Sequence, residues 1–340
     1  MTDLTRASKE LFRRNPDERF ETLRSLWEHC HQQREDSTDR WHSPDTIGMQ
    51  AADRSIRLAA GTDGAFLMND WSFSQLCRMA KVAKDTVNRL SSETATQVFR
   101  ETMPSGNKPV QILTTGDTVR SLHGTQYTRL WNADLVHMLR EFAVDFEPPQ
   151  KGFNGATGLY AGEQDMFVFL IDPNGWTEIN GEAFAPGFFV WNSEVGRRSL
   201  GVQTFWFQAV CQNHIVWDAV EVIEWRRKHT ARVSEGLSQI REIIERLVEK
   251  RDARKDGFAK VVSTAMREKL GDDAEECLKV LNRQGITRGL AKKALELAGQ
   301  KGAFTVWSVV DALTQISRES VNAGERTETD ESAAKLLALV

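Results

Sequence analysis

The stretch from Gly187 to Trp217, GFFVWNSEVGRRSLGVQTFWFQAVCQNHIVW, limits the possible folds more than any other segment. Its aromatic and β-branched residues suit strands. The polar run Asn192-Ser193-Glu194-Val195-Gly196-Arg197-Arg198 interrupts them as a turn. Two or three β-strands follow, and no catalytic constellation lies among them.

Around this stretch the patterning divides the chain into four parts. An N-terminal helical arm and linker is expected over residues 1–64, with Phe20, Leu23, Leu26 and Trp27 at helical spacing and an irregular segment over 41–65. A central α+β domain is expected over 65–232. It opens with a short strand and a helix starting at Ser72 to Ser74, and continues with a helix over Ser92–Met103. A hairpin turning at Gly116-Asp117 and a helix over Asn132–Phe142 come next. After Pro148-Pro149, strands at Asp165–Ile171, Trp176–Ile179, Gly187–Trp191, Gly201–Val210 and His214–Trp217 form an antiparallel meander, because parallel neighbours need long crossovers. A helical subdomain is expected over 233–320, led by one long helix from Ser234 to Asp256 with Leu237, Ile240, Ile244 and Leu247 as its apolar stripe. A polar tail occupies 321–340; Asn322 to Glu331 is expected to be disordered, and Ala333 to Val340 could fold on a partner. The fold class is α+β, with a sheet of about six strands.

Ten Trp and seventeen Phe against two Tyr imply an extensive aromatic core or a stacking surface. The net charge of −4 does not advertise nucleic acid, but residues 226–260 hold eleven Lys/Arg and six Asp/Glu, a local surplus of +5. Cys30, Cys77, Cys211 and Cys277 lack finger spacing and fit reduced thiols. The first twenty residues have no apolar core of a signal peptide, and no run approaches the roughly 20 apolar residues of a membrane span. A cytoplasmic protein without membrane contact is expected.

Four segments occur together in this order: NDWSFSQLCRMAKV (Asn69–Val82), RSLHGTQYTRLWNADLV (Arg120–Val136), WNSEVGRRSLGVQTFWFQAVCQNHIVW (Trp191–Trp217) and TVWSVVDALTQISR (Thr305–Arg318). They resemble the phage- and plasmid-related domain family of unknown function numbered 932. The opening ASKELFRRNPDERF resembles the N-terminal arm of its longer members, so the likeness runs from about Ala7 to Arg318. Its most specific part is Asn-Ser-Glu-x-Gly followed by a strand and Cys-x-Asn; many members have Gly where this chain has His214. The resemblance implies a mobile-element origin and a loose, fold-level similarity to single-strand annealing proteins, which does not fix function.

Three polar clusters are candidate nucleic-acid contacts. Arg197 and Arg198 offer charge-assisted donors beside Gly196, or form a hairpin turn in which Glu194 pairs with one of them. Tyr127 and Arg129 share a strand parity and could stack a base and hold its phosphate, or pack and cap a helix, near Arg120 and His123. Arg226, Arg227, Lys228 and His229 follow Trp225, and Lys250, Arg251, Arg254 and Lys255 extend the charge; a solvated helix face explains them equally well. Glu163, Asp165 and Asp172 form a weaker divalent-metal candidate, and Cys211 with His214 is half a metal or thiol–imidazole site. No phosphate-loop or dinucleotide motif occurs, so no cofactor is expected.

The leading expectation is a non-catalytic, homo-oligomeric protein that binds single-stranded nucleic acid through Arg197, Arg198, Arg226, Arg227 and Lys228, with Tyr127 and Arg129 assisting. The alternatives are a protein-interaction module using the helical C-terminus and a metal-dependent enzyme using the three carboxylates.

Overall fold

The computed structural model describes residues 10–149, 157–209, 213–215, 225–249, 251–300, 302 and 304–340. The N-terminal part runs β1 (Glu18–Phe20), α1 (Leu23–Glu35), β2 (Ser37–His42), a single 3-10 turn (Pro44–Thr46), β3 (Ile47–Ala52), β4 (Ser55–Ala60), β5 (Ala65–Met68), α2 (Asp70–Met79), α3 (Lys84–Val87), α4 (Ser92–Thr102), β6 (Val110–Thr115), β7 (Thr118–His123) and α5 (Asn132–Phe142). Thr22 and Ser25 form a reciprocal capping box that starts α1, and Asn69 with Ser72 does the same for α2. That box places the start of α2 ahead of the expected Ser72. The segment expected to be irregular over 41–65 instead supplies β3 and β4, so α1 is the one helix described between residues 10 and 64.

Strands β2 to β7 build a six-stranded sheet in the order β2-β6-β7-β5-β4-β3. All its pairs are antiparallel except β5 with β7. Ile47, Met49, Ile56, Leu58, Ile112 and Val119 pack against Phe73, Leu76 and Phe99 of the helices.

The second sheet holds β1 together with β8 (Leu159–Ala161), β9 (Met166–Ile171), β10 (Thr177–Ile179), β11 (Glu182–Asn192), β12 (Leu200–Gln208), β13 (Asn213–Ile215) and β14 (Trp225–Arg227). Its order is β1-β8-β9-β11-β12-β13, with β10 paired to β11 and β14 to β12, all antiparallel. This is the expected meander, with eight strands in place of about six.

Side chains alternate across this sheet. Phe167, Phe169, Phe189, Trp191, Phe205 and Phe207 share one face, and Met166, Val168, Leu170, Phe188, Val190 and Val202 the other. Both faces are covered, so β9 reads as an unbroken apolar run. Each fully buried Phe contributes roughly 1.5–3 kcal/mol. Trp191 lies flat over its cross-strand partner Gly201, where a Cβ would run into the indole ring.

The remaining helices are α6 (Glu235–Glu249), α7 (Arg251–Ala265), α8 (Ala274–Arg283), α9 (Arg288–Gly299), α10 (Val306–Ser317) and α11 (Ala323–Ala334), closed by a 3-10 turn (Lys335–Leu339). Of the long helix expected over 234–256, Glu235–Glu249 and residues 251–256 are helical, and Lys250 between them lies outside the described residues. The apolar stripe of α6 is spent inside the protein: Ile240, Ile244 and Leu247 pack with α1 and α5. Helices α7 to α10 form a core of their own with Phe184 and Trp206 of the sheet. The segment expected to be disordered, Asn322 to Glu331, falls in α11, and the closing turn buries Leu336 and Leu337. Among the described residues no helix is long and apolar enough to cross a membrane.

Candidate functional site

The turn between β11 and β12 is held by every residue of its Asn-Ser-Glu-x-Gly core. Asn192 donates to the Leu130 carbonyl at 2.9 Å and to Asn132 Oδ1 at 2.8 Å. Ser193 Oγ donates to the Gln164 carbonyl at 2.5 Å and accepts the Arg197 amide at 2.8 Å. Glu194 is buried; it accepts the Asn132 amide at 2.6 Å, at the positive N-terminus of α5, and pairs with Arg120 at 2.9 Å. The Val195 carbonyl accepts the Trp71 indole N–H at 2.7 Å. Gly196 sits at φ +72, and a Cβ there would lie 2.6 Å from His123 Cε1. Glu194 thus pairs with Arg120 of the other sheet, not with either arginine of its own turn.

Beside this turn, Tyr127 stacks on His123 at 3.6 Å and lies near-parallel to His229 at 5.4 Å between ring centroids. Burial, aided by the charge of Arg129, pushes His123 down to about 3, and burial pushes His229 down to about 4. Both rings are therefore neutral at neutral pH. The Tyr127 hydroxyl donates to the Ser193 and Glu194 carbonyls at 3.2 and 2.6 Å, and burial raises its pKa. Arg129 donates through Nε and Nη2 to the Asp39 carboxylate at 3.1 and 2.7 Å and through Nη1 to the Glu194 carbonyl. The polar ends of Tyr127 and Arg129 are thus directed into the protein, where they brace the turn.

Outside the brace opens a cleft of about 800 Å³. Its charged walls are Lys108, Arg197, Arg198 and Lys228, with Tyr127 and His229 at its side, and among the described residues no carboxylate lines it. Among the described residues Lys108 and Lys228 have no ion-pair partner. Arg198 is shared: it bonds Asp165 at 2.9 Å and Glu328 at 2.5 Å. A second cleft of about 310 Å³ adjoins it through Arg197, Arg198 and Ser199.

The two arginines of β14 point to opposite faces, as strand alternation requires. Arg226 lies over the Trp191 ring at 5.4 Å and lines the second cleft, whereas Arg227 bonds Glu235 and Gln239 of α6, each at 2.8 Å. The sequence therefore groups more residues than the fold brings together. Arg197, Arg198, Lys228 and Tyr127 share the main cleft and Arg226 the adjoining one, while Arg129 stands behind it and Arg227 on the far face. Lys108 joins them without any spacing signal, from a loop following Pro104-Ser105-Gly106.

The other candidates are dispersed. Glu163 accepts from Asn15 at 2.5 Å, Asp165 is held by Arg198 and Arg14, and Asp172 accepts the Asn174 amide at 2.9 Å. Among the described residues no three of His, Cys, Asp and Glu come together as a metal site. Cys211, Lys250, Gly152 and Gly155 lie outside the described residues, as do the side chains of His214, Arg251 and Arg254.

A family model described as domain of unknown function DUF932 matches residues 119–339. The chain belongs to the DUF932 family. The match begins at β7 and runs through α11, so it takes in the bracing cluster, the turn, the cleft-lining residues from Gly124 onward and the tail; the segment Asn69–Val82 and Lys108 precede it. No curated protein and no solved structure matches the chain.

Proposed function

We propose that this DUF932 protein binds single-stranded nucleic acid, without catalysis, through the cleft walled by Lys108, Arg197, Arg198 and Lys228. The observation that carries this is the sign of the cleft: among the described residues four cations and no carboxylate line it, in a chain whose net charge is −4. Such a concentration of one sign in a concave surface attracts polyanions. Lys108 and Lys228, which have no ion-pair partner among the described residues, can give their charge to phosphates. The rigid turn at Gly196 presents Arg197 from a fixed backbone, which lowers the ordering cost on binding.

The protein-interaction alternative drew on the apolar stripe of α6 and on the apolar C-terminal end; Ile240, Ile244 and Leu247 pack in the chain's own core, as do Leu336 and Leu337, while Leu339 is exposed. A role on mobile elements and self-association extend the proposal and rest on the family resemblance alone. The test is binding of a fluorescein-labelled oligothymidylate to the wild type and to Lys108→Ala/Lys228→Ala. Weakened binding by a variant that keeps its unfolding midpoint supports the proposal; equal binding removes the cleft from it.

A further inference from the structure

The second cleft has a different wall. On one side stand Phe167, Phe189 and Trp191 of the aromatic sheet face, with Arg197, Arg198 and Arg226 at their edge. On the other stand Thr327, Glu328 and Glu331 of α11. Glu328 reaches Arg198 at 2.5 Å and Glu331 reaches Arg226 at 4.0 Å. Two carboxylates of one helix thus meet two guanidinium groups spaced along the continuation of the basic cleft. Phosphate oxygens would make the same charge-assisted contacts.

The helix covering this face has little apolar surface with which to hold it. Its buried side is Ala323, Gly324, Arg326, Thr327, Asp330, Ala333 and Ala334, and only the two alanines Ala323 and Ala334 belong to the aromatic cluster. An alanine methyl buries a fraction of the area of a leucine side chain, so each such contact contributes little. Asp330 is fully buried, and burial raises its pKa to about 7, so its ionised form weakens the docking further. The following Leu336 and Leu337 lie in the helical core and tether the end of the segment. Local opening of α11 can therefore occur without release of the tail.

We propose that the aromatic face beneath α11 is a second, latent site for single-stranded nucleic acid, continuous with the basic cleft, in which Glu328 and Glu331 hold the places of two phosphates. This rests on the nucleic-acid reading of the main cleft. When α11 opens, Arg198 and Arg226 take phosphates, and Trp191, Phe167 and Phe189 offer ring faces to bases. Only unpaired bases can stack there, so the site favours single strands over duplex.

Binding of a labelled oligothymidylate is compared between wild type and Glu328→Gln/Glu331→Gln, with hydrogen exchange of the α11 amides followed in the free and saturated wild type. Affinity about fivefold tighter in the variant, with faster exchange of 323–334 on saturation, is expected. Binding by the variant where the wild type binds immeasurably weakly supports the proposal equally. Affinity equal to the wild type, or α11 amides that stay equally protected on saturation, overturns it. If wild-type binding is still lost in Lys108→Ala/Lys228→Ala, the main cleft stands without the latent site. Absence of binding by both proteins overturns both proposals.

Discussion

Arg120 and Glu194 pair at 2.9 Å with side chains only 7% and 1% exposed, and they belong to different sheets. Arg120 lies on β7 of the six-stranded sheet, while Glu194 lies in the turn that follows β11 of the eight-stranded one. The same carboxylate accepts the first amide of α5. One buried charge therefore fixes the relation of two sheets and a helix, and the turn that presents Arg197 and Arg198 takes its position from it. Removing a buried charge from water is costly, and pairing with a guanidinium and a helix N-terminus offsets that cost.

Breaking this pair from one side leaves an uncompensated charge. Glu194→Ala is expected to destabilise the fold by about 3–5 kcal/mol, and Arg120→Met/Glu194→Gln by less than the sum of its single substitutions. Urea unfolding of the two single variants and the double variant measures the coupling. Additive losses would mean that the pair does not act as a unit.

Gly196 has two reasons to be glycine. Its φ is +72, and a Cβ would press on the His123 and Tyr127 rings. Gly196→Ala is expected to cost about 1–3 kcal/mol by strain alone. Thermal unfolding reads this directly, and an unchanged midpoint would show that the turn relaxes freely.

His123 and His229 make the fold acid-sensitive. Their folded values of about 3 and about 4 lie below the ordinary 6.5. The stability from keeping both rings neutral is complete above pH 6.5 and is lost as pH falls through the folded values. Urea midpoints should fall on acidification below pH 6.5, and His229→Gln should flatten that fall. A midpoint insensitive to pH in this window would contradict the buried, neutral stack.

Asp330 acts in the opposite direction. Burial raises it from 3.8 to about 7, against the opposing influence of Arg326 and the Ser317 hydroxyl, with Glu331 and Arg318 the other charged groups acting on it. Stability from this group is complete below pH 3.8 and is lost as pH rises toward about 7. Asp330→Asn should therefore gain stability relative to wild type as pH rises across that window. Chemical unfolding at its two ends measures the difference, and a constant gap would show that Asp330 titrates normally.

The aromatic meander was legible because β9, β11 and β12 carry an alternating or continuous apolar pattern too strong for any other element. The six-stranded sheet was hidden at its β3–β4 hairpin. That two-residue loop is Asp53-Arg54, with Arg54 at φ +56 and no glycine to announce it. The Asn180-Gly181 turn, both residues at positive φ, explains why β11 begins at Glu182, earlier than the apolar run suggests. Residues Asn322 to Glu331 look disordered by composition, yet α11 lies on the aromatic face through small residues that composition cannot flag. In the site, the turn arginines stood out by their neighbours Asn192 to Gly196. Lys108 did not, because only the fold brings it to them. The bracing role of Tyr127 and Arg129 was hidden for the same reason: their polar groups find partners in Ser193, Glu194 and Asp39, distant in sequence.

The central claim is that the cleft walled by Lys108, Arg197, Arg198 and Lys228 binds single strands through phosphates. Fluorescence anisotropy with labelled single-stranded and duplex DNA over a salt series tests it most directly. With Lys108, Arg197 and Lys228 each neutralising one phosphate, single-strand affinity should fall with a log–log salt slope of about −2, and more shallowly for Lys108→Ala/Lys228→Ala. Single-strand binding with that slope, exceeding duplex binding, is the predicted result. No binding at low salt, or binding indifferent to salt and to both lysines, would contradict the account.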